Sequence, residues 1–155
     1  MSPQSDPTDP TFSKYDRQQA EKYAESRLSY PDQLYSTIID FHTQSNGQKH
    51  IVADVGCGPG NATRDLAIHF DHAIGLDPSV EMIKVAGRSG GCTKSGELLK
   101  FVVSTAEDLF DNCTSALPII KENGGVDLLT AAMAVSTQFF SLTPSVSPLL
   151  TSLAL

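Results

Sequence analysis

The segment His50–Asn61, with the sequence HIVADVGCGPGN, is the stretch from which the fold is predicted. Its first part, Ile51–Val55, is a short apolar run typical of a buried strand. The next part has three glycines at alternate positions, Gly56, Gly58 and Gly60. A buried strand that runs into a glycine-rich turn predicts the first half of a βαβ unit.

Strands and helices alternate along the rest of the chain. After the glycine loop the predicted elements are a helix over 61–70, a strand over 72–77, a helix over 78–88, a strand over 97–106, a short helix broken by Pro118, and a strand over 126–134. Ser79 is the predicted N-cap of the helix over 78–88, and Gly87 is its predicted terminator. This alternation predicts an α/β fold, a Rossmann-like doubly wound sheet that is mainly parallel and has about four strands.

Two helices are predicted before the glycine loop. The segment 11–28 is rich in good helix formers and has aromatic residues at a loosely helical spacing. In the second helix, Pro31 stands where a helix can start and Asp32 lies in the first turn. Its predicted apolar face consists of Leu34, Tyr35, Ile38, Ile39 and Phe41.

The composition limits the classes of partner. The formal net charge is −7, which repels phosphate backbones and anionic lipid, so nucleic acid and membrane are excluded as main partners. The longest apolar run, Leu128–Val135, is far shorter than the ~20 residues that cross a bilayer. With no signal-like N-terminal segment, the sequence predicts a cytoplasmic protein, which we expect to be a monomer. Three cysteines without CxxC spacing predict neither a disulfide framework nor a metal site.

The two ends of the chain differ from its middle. Residues 1–10 contain three prolines and are predicted to be a disordered tail. No charged residue follows Asp127, and residues 135–155 are dominated by Ser, Thr, Leu and Pro without a helical or strand period. We therefore predict a cofactor-binding part over 11–134 and an atypical uncharged tail over 135–155.

The glycine loop predicts a site for an anionic group of a ligand. Ligands of open parallel sheets bind beyond the carboxyl ends of the strands, where the next helix offers unpaired N–H groups. A dinucleotide site needs G-x-G-x-x-G, whereas this loop has G-x-G-x-G, and no Lys-Ser or Lys-Thr closes it as in a P-loop. An NAD-dependent oxidoreductase is therefore disfavoured.

Two carboxylates narrow the ligand further. Asp54 lies at the end of a buried strand, where a carboxylate is costly unless it meets a cation or several N–H donors. Asp77 lies at the end of the next strand, where it can accept the hydroxyls of a ribose. A ligand with a cationic group, a carboxylate and a ribose fits both, and S-adenosylmethionine has all three.

Three motifs in order resemble those of class I S-adenosylmethionine-dependent methyltransferases. VADVGCGPG (52–60) resembles their first motif, IGLDPSVEMI (74–83) their second, and FVVSTAEDL (101–109) their third-strand motif. The segments at 23–42 and 126–134 further resemble enzymes of the trans-aconitate methyltransferase type, with a methyltransferase type 11 domain. The resemblance extends over 12–134, and the chain departs from the family pattern after the fourth strand, as a truncated or aberrant product would.

The resemblance assigns a set of cofactor-binding residues. It implies that Asp54 and the loop hold the methionine end, that Asp77 holds the ribose, that Met82 and the third-strand motif contact the adenine, and that two residues before the second helix help to close the site. The full set is Arg27, Tyr30, Asp54, Gly56, Cys57, Gly58, Gly60, Asp77, Pro78, Met82, Ala106 and Glu107.

The predicted activity is methyl transfer to a small molecule, such as a carboxylic acid, with no catalytic residue assigned. The alternative is a catalytically incomplete product that only binds the cofactor or is inactive. A protein acceptor stays open, and the acidic charge disfavours nucleic acid. Cys57 is expected to act through its backbone, although a thiol at a helix N-terminus can also become reactive.

Overall fold

The structure is a computed structural model that describes residues 16–26, 29–105 and 118–131. Within these ranges the chain forms five helices and four strands. In chain order they are α1 (Arg17–Ser26), α2 (Asp32–Gln44), β1 (Ile51–Val55), α3 (Asn61–Ala67), β2 (His72–Asp77), α4 (Val80–Ser89), β3 (Lys100–Val103), α5 (Pro118–Glu122) and β4 (Leu128–Thr130).

The four strands form one parallel sheet with the order β3-β2-β1-β4. Strands β2 and β3 are added in sequence on one side of β1, and the chain then crosses to the other side of β1 for β4. The predicted parallel α/β sheet is therefore confirmed, and its topological switch point lies between β1 and β4.

Alternate residues of β1 enter two separate cores. Ile51, Ala53 and Val55 pack with Ile120 of α5 on one face of the sheet. Val52 packs on the other face with a cluster drawn from α2, α3, β2, β4 and the residues after α3, namely Tyr35, Ile39, Leu66, Ala67, Phe70, Ala73 and Leu128. Because successive strand side chains alternate, Asp54 lies on the same face as Val52, towards α2 and α3.

Helix α2 begins where it was predicted, but its buried face differs. Tyr35, Ile39 and His42 are buried, whereas Phe41 is 46% exposed, so the prediction for Phe41 is wrong. The positions i, i+4 and i+7 lie on one face of a helix, and Phe41 lies off that line. The imidazole fits the core because His42 Nε2 donates to the Gln48 carbonyl at 2.6 Å and the ring packs against Phe70.

Helix α4 confirms one predicted end and corrects the other. Ser79 is the N-cap, and its Oγ accepts a hydrogen bond from the Met82 amide at 3.3 Å. Gly87 does not end the helix, which continues to Ser89. The residue that leaves the helical conformation is Gly90, with φ 62°, a region that glycine enters at no steric cost.

The third and fourth strands are shorter than predicted. The pairing of β3 with β2 spans Lys100 to Val103, and the pairing of β4 with β1 spans Leu128 to Thr130. Pro118 is the first residue of α5, a position that suits its missing N–H and fixed φ, and the part of the predicted helix before Pro118 lies outside the described residues. The two leucines of β4, Leu128 and Leu129, are buried in the two cores.

Several predictions fall on residues outside the described ranges. They are the tail over 1–10, the first residues of the predicted helix over 11–28, most of the segment between β3 and α5, and the tail over 135–155. In the ranges that are described, no helix is long and apolar enough to span a bilayer.

Candidate functional site

The glycine loop adopts a backbone that requires its glycines. Gly56, Gly58 and Gly60 have φ values of 67°, 54° and 83°, all in the left-handed region. The Cys57 amide donates to the Leu76 carbonyl of β2, and the Gly60 amide donates to the Cys57 carbonyl, both at 2.9 Å. These bonds fold the loop over the carboxyl ends of β1 and β2 and deliver it into α3.

Asp54 is buried between two hydroxyl groups. Only 2% of the residue is exposed. Its Oδ2 accepts a hydrogen bond from Thr63 Oγ1 of α3 at 2.6 Å, and its Oδ1 accepts one from Thr130 Oγ1 of β4 at 3.0 Å. A cation or several N–H donors were predicted beside Asp54. The structure corrects this prediction, because its partners within the protein are two hydroxyl groups.

The burial of Asp54 makes its negative charge costly. Burial raises the pKa of the Asp54 carboxyl to about 6, the two hydroxyl hydrogen bonds oppose this rise, and the charge of Asp77 adds to it. Near neutral pH the group is an anion that gains from any positive charge brought next to it.

Asp77 joins the glycine loop to the start of α4. Its Oδ2 accepts the Gly58 amide at 2.9 Å, and its Oδ1 accepts the Ser79 amide at 2.8 Å. Burial raises the pKa of Asp77, and the two backbone N–H bonds lower it. Both carboxylate oxygens thus hold backbone in this structure, and binding of a ribose by Asp77 stays a prediction.

An open pocket lies above the glycine loop. Its lining residues are Tyr23, Ser29, Tyr30, Asp54, Gly56, Cys57, Gly58, Pro59, Asn61 and Ala62. The pocket volume is about 60 Å³, whereas small-molecule sites commonly have ~300–1,000 Å³. The pocket that the described residues form is therefore smaller than a typical small-molecule site, and the glycine loop is its floor.

The structure brings five of the predicted site residues together at this pocket, namely Tyr30, Asp54, Gly56, Cys57 and Gly58.

Four other predicted residues do not line it. Gly60 and Asp77 support the loop from behind, Pro78 is exposed, and Met82 is buried against Ala20 of α1 and Val85 of α4. The remaining three, Arg27, Ala106 and Glu107, lie outside the described residues.

The sequence as a whole was compared with known protein families. A family sequence model described as "Methyltransferase domain" matches residues 52–138, which is more than half of the chain and includes the glycine loop, β2 and β4. The chain belongs to the methyltransferase domain family.

Individual relatives agree with this assignment. The methyltransferase domain is 33% identical over 87 residues to "Probable S-adenosylmethionine-dependent methyltransferase CRG1" of Saccharomyces cerevisiae, covering 56% of this chain and 29% of the relative. It is 44% identical over 57 residues to trans-aconitate 2-methyltransferase of Streptomyces avermitilis, covering 36% of this chain and 21% of that protein. The matched part is thus under a third of the length of these curated relatives.

A solved structure supports the fold. The protein described as a type II methyltransferase from Anaeromyxobacter dehalogenans matches with a TM-score of 0.50 at 23% identity, covering 74% of this chain and 40% of that one. This match confirms the Rossmann-like architecture of the methyltransferase domain and carries no information about its acceptor.

Sequence reasoning missed part of the pocket of this methyltransferase domain. Pro59 and Asn61 stand inside the motif that was analysed, so their position in the loop was an available signal. Tyr23 packs beside Met82 and also lines the pocket, and the sequence analysis did not include it among the site residues. Ser29 directly precedes Tyr30, and this adjacency was its only signal in the sequence.

Arg64 is a second residue that the motif analysis passed over. Its Nη2 donates to the Pro59 carbonyl at 2.7 Å and to Asn61 Oδ1 at 2.8 Å. The guanidinium thus ties the end of the glycine loop to the first residue of α3.

The Cys57 thiol contributes little chemistry to the methyltransferase domain. Burial raises its pKa, and the negative charges of Asp54 and Asp77 raise it further. The thiol therefore stays protonated at neutral pH and is a poor nucleophile, which leaves the backbone of Cys57 as its contribution to the loop.

Proposed function

We propose that this chain binds S-adenosylmethionine at the pocket above the glycine loop and serves in the transfer of its methyl group to a small molecule. Membership of the methyltransferase domain family supports this proposal, and so does the name of the yeast relative. Because the matched parts are short compared with the relatives, the activity of the whole protein is part of the proposal.

The observation that carries the proposal is the arrangement of the loop and Asp54. Three left-handed glycines at alternate positions after the carboxyl end of β1 open the backbone to a ligand beside the switch point of the sheet. A buried carboxylate lines the same pocket. A ligand fits both features when its cationic group meets this carboxylate and its own carboxylate meets backbone N–H groups in the first turn of α3, where Asn61 and Ala62 line the pocket.

The individual contacts follow from this orientation. We assign the methionine end to Asp54 and to the backbone of Gly56, Cys57 and Gly58, and we assign Tyr30 to the wall of the pocket. The Tyr30 ring is fixed edge-on against Tyr35, with ring centroids 6.4 Å apart, so it offers a preformed surface.

The acceptor class proposed for the first assays is a small carboxylic acid. The support is the identity with trans-aconitate 2-methyltransferase, which is confined to 57 residues of that protein. Methyl transfer depends on placing the acceptor oxygen in line with the sulfonium methyl, so the acceptor must enter beside the cofactor's methionine end.

Calorimetric titration with S-adenosylhomocysteine tests cofactor binding. We expect saturable binding with one site per chain. We expect no heat with NAD, because the loop lacks the G-x-G-x-x-G pattern of a dinucleotide site. Absence of binding at millimolar S-adenosylhomocysteine would overturn the proposal for this chain.

A second assay separates binding from transfer. Labelled S-adenosylmethionine is incubated with the protein and a panel of di- and tricarboxylic acids. Methyl esters are the expected product, and saturable cofactor binding without any ester would favour a domain that only binds the cofactor.

A further inference from the structure

The partners of Asp54 come from two elements that meet at the switch point of the sheet. Thr63 lies in the first turn of α3 and is fully buried, and Thr130 is the last residue of β4. One hydroxyl donates to each carboxylate oxygen, at 2.6 Å and 3.0 Å. The carboxylate is therefore held from both sides by groups that nothing in the loop motif specifies.

Hydroxyl donors act on the charge state of a carboxylate. An ionised carboxylate only accepts hydrogen bonds, so two donors directed at its two oxygens stabilise the anion. Within the described residues, no lysine or arginine is hydrogen-bonded to Asp54. The hydroxyls are then the groups that oppose the cost of burying this charge.

We propose that Thr63 and Thr130 form a hydroxyl clamp that holds the Asp54 carboxylate as the anion of the ligand pocket, and that binding of a cationic amino-acid ligand depends on this clamp. The proposal deepens the cofactor site and rests on the proposed function for the identity of the ligand. Thr63 and Thr130 are positioning residues in this scheme, since they act through Asp54.

None of the other titratable groups described around Asp54 supplies a positive charge that would stabilise its anion. Asp77 of β2 is a negative charge that disfavours the Asp54 anion. Tyr35 of α2 and Cys57 of the loop stay neutral because burial raises the pKa of each. The negative charge of Asp65 in α3 raises the pKa of the Tyr35 hydroxyl further.

The clamp makes ligand affinity depend on pH. The cationic end of the ligand gains from Asp54 only when the carboxylate is ionised, so affinity falls about tenfold for each pH unit below the Asp54 midpoint. Loss of one hydroxyl raises that midpoint and moves the whole profile to higher pH.

Carbon-13 NMR of the aspartate carboxyl groups tests the clamp without any ligand, with the Asp54 signal assigned by its loss in Asp54→Asn. In the parent chain we expect a midpoint near pH 6. Thr130→Val and Thr63→Val keep the side-chain shape and should each raise the midpoint by about one unit or more. Thr130→Ser and Thr63→Ser restore a hydroxyl and should return it towards the parent value.

The controls separate the clamp from general loss of structure. Thr37→Val makes the same chemical change at an exposed position of α2 and should leave the Asp54 midpoint unchanged. Amide spectra establish that each variant is folded, and the half-buried Thr130 provides a second variant if Thr63→Val does not fold. Unchanged Asp54 midpoints in the folded valine variants would overturn the clamp.

Titration of S-adenosylhomocysteine between pH 5 and 8 tests the coupling to the ligand. We expect the affinity of the parent to follow the Asp54 midpoint and the valine variants to bind at least about fivefold more weakly at pH 6, because the parent is itself half protonated there. A pH-independent affinity would overturn the coupling while leaving the proposed function in place. If the parent binds no S-adenosylhomocysteine at any pH, both the coupling and the proposed function fail for this chain, and the carboxyl titration still decides the clamp.

Discussion

Asp54 and Asp77 stand at the carboxyl ends of neighbouring strands, and burial raises the pKa of both carboxyls. A buried charge costs free energy even when it is hydrogen-bonded. Two buried carboxylates beside a glycine loop are typical of a site whose charge is used by a ligand.

Replacement of Asp54 by Asn should remove a pH-dependent loss of stability. The folded state binds the Asp54 proton with a pKa of about 6, against an ordinary value of 3.8. The free energy of unfolding therefore falls as the pH rises through this window, by about 3 kcal/mol for a shift of this size. We therefore expect the free energy of unfolding of Asp54→Asn, measured by urea denaturation, to rise relative to that of the parent by about 3 kcal/mol between pH 4 and 7.

The matched control for that experiment is Asp40→Asn, at an exposed position of α2. Its difference from the parent should be small at each pH. A difference for Asp54→Asn that stays constant from pH 4 to 7 would contradict the account of its burial.

Gly60 and Gly58 separate backbone strain from packing in the loop. Alanine at Gly60 meets both costs, because φ is 83° and the new Cβ would lie 2.7 Å from the Phe101 ring. Alanine at Gly58 has open space and meets only the strain of φ 54°. We expect Gly58→Ala to cost about 1 kcal/mol and Gly60→Ala about 2–4 kcal/mol in urea denaturation. Equal costs would show that Phe101 does not restrict the loop.

The elements differ in how far the sequence predicts them. β1 and β2 match their predicted bounds because each is a short, mainly apolar segment between polar or turn-forming residues. The ends of β3 and β4 depend on how many residues pair with β2 and β1, which is a property of the assembled sheet. Phe41 is exposed and His42 is buried because helical phase, rather than hydrophobicity, decides which side chain meets the core.

The site divides in the same manner. The glycine loop and Asp54 could be predicted because they lie in one contiguous motif. Thr130 could not, since its contact with Asp54 bridges 76 residues and depends on the register between β1 and β4.

Helix α4 provides a matched pair of glycine substitutions. Gly87 lies within the helix with nothing near its added Cβ, so Gly87→Ala should raise the free energy of unfolding by up to about 1 kcal/mol. Gly90 follows the helix with φ 62°, so Gly90→Ala should lower it by about 1 kcal/mol. Urea denaturation of both variants checks the signs, and a destabilising Gly87→Ala would place the end of the helix at Gly87 instead.

At the scale of the whole molecule, the pairing of β4 with β1 brings distant parts of the sequence together. Asp127, just before β4, accepts the amides of His50 and Ile51 through Oδ2 at 3.0 Å and 2.8 Å, and its own amide donates to the Ile51 carbonyl. This joint holds the two strands that flank the switch point, and therefore holds Thr130 beside Asp54.

Asp127→Ala should weaken the whole fold rather than one helix. Loss of its carboxylate removes the side-chain acceptor of two strand-entry amides, for an expected cost of about 1–3 kcal/mol in urea denaturation. Glu122→Ala, at an exposed position of α5, removes a charge of the same sign and should cost little. If both variants lose the same small amount, the joint does not stabilise the sheet.

Mapping S-adenosylhomocysteine by amide chemical shifts tests the central claim most directly, because it locates the ligand on this chain. The account predicts the largest shifts at Tyr30, Gly56, Cys57, Gly58 and Asn61, around the pocket above the glycine loop. The chemical shifts of amides at the amino ends of the strands, such as Lys49 before β1 and Asp127 before β4, should stay unchanged. Saturable shift changes centred on the amino ends of the strands, with no change at the loop amides, would contradict the account.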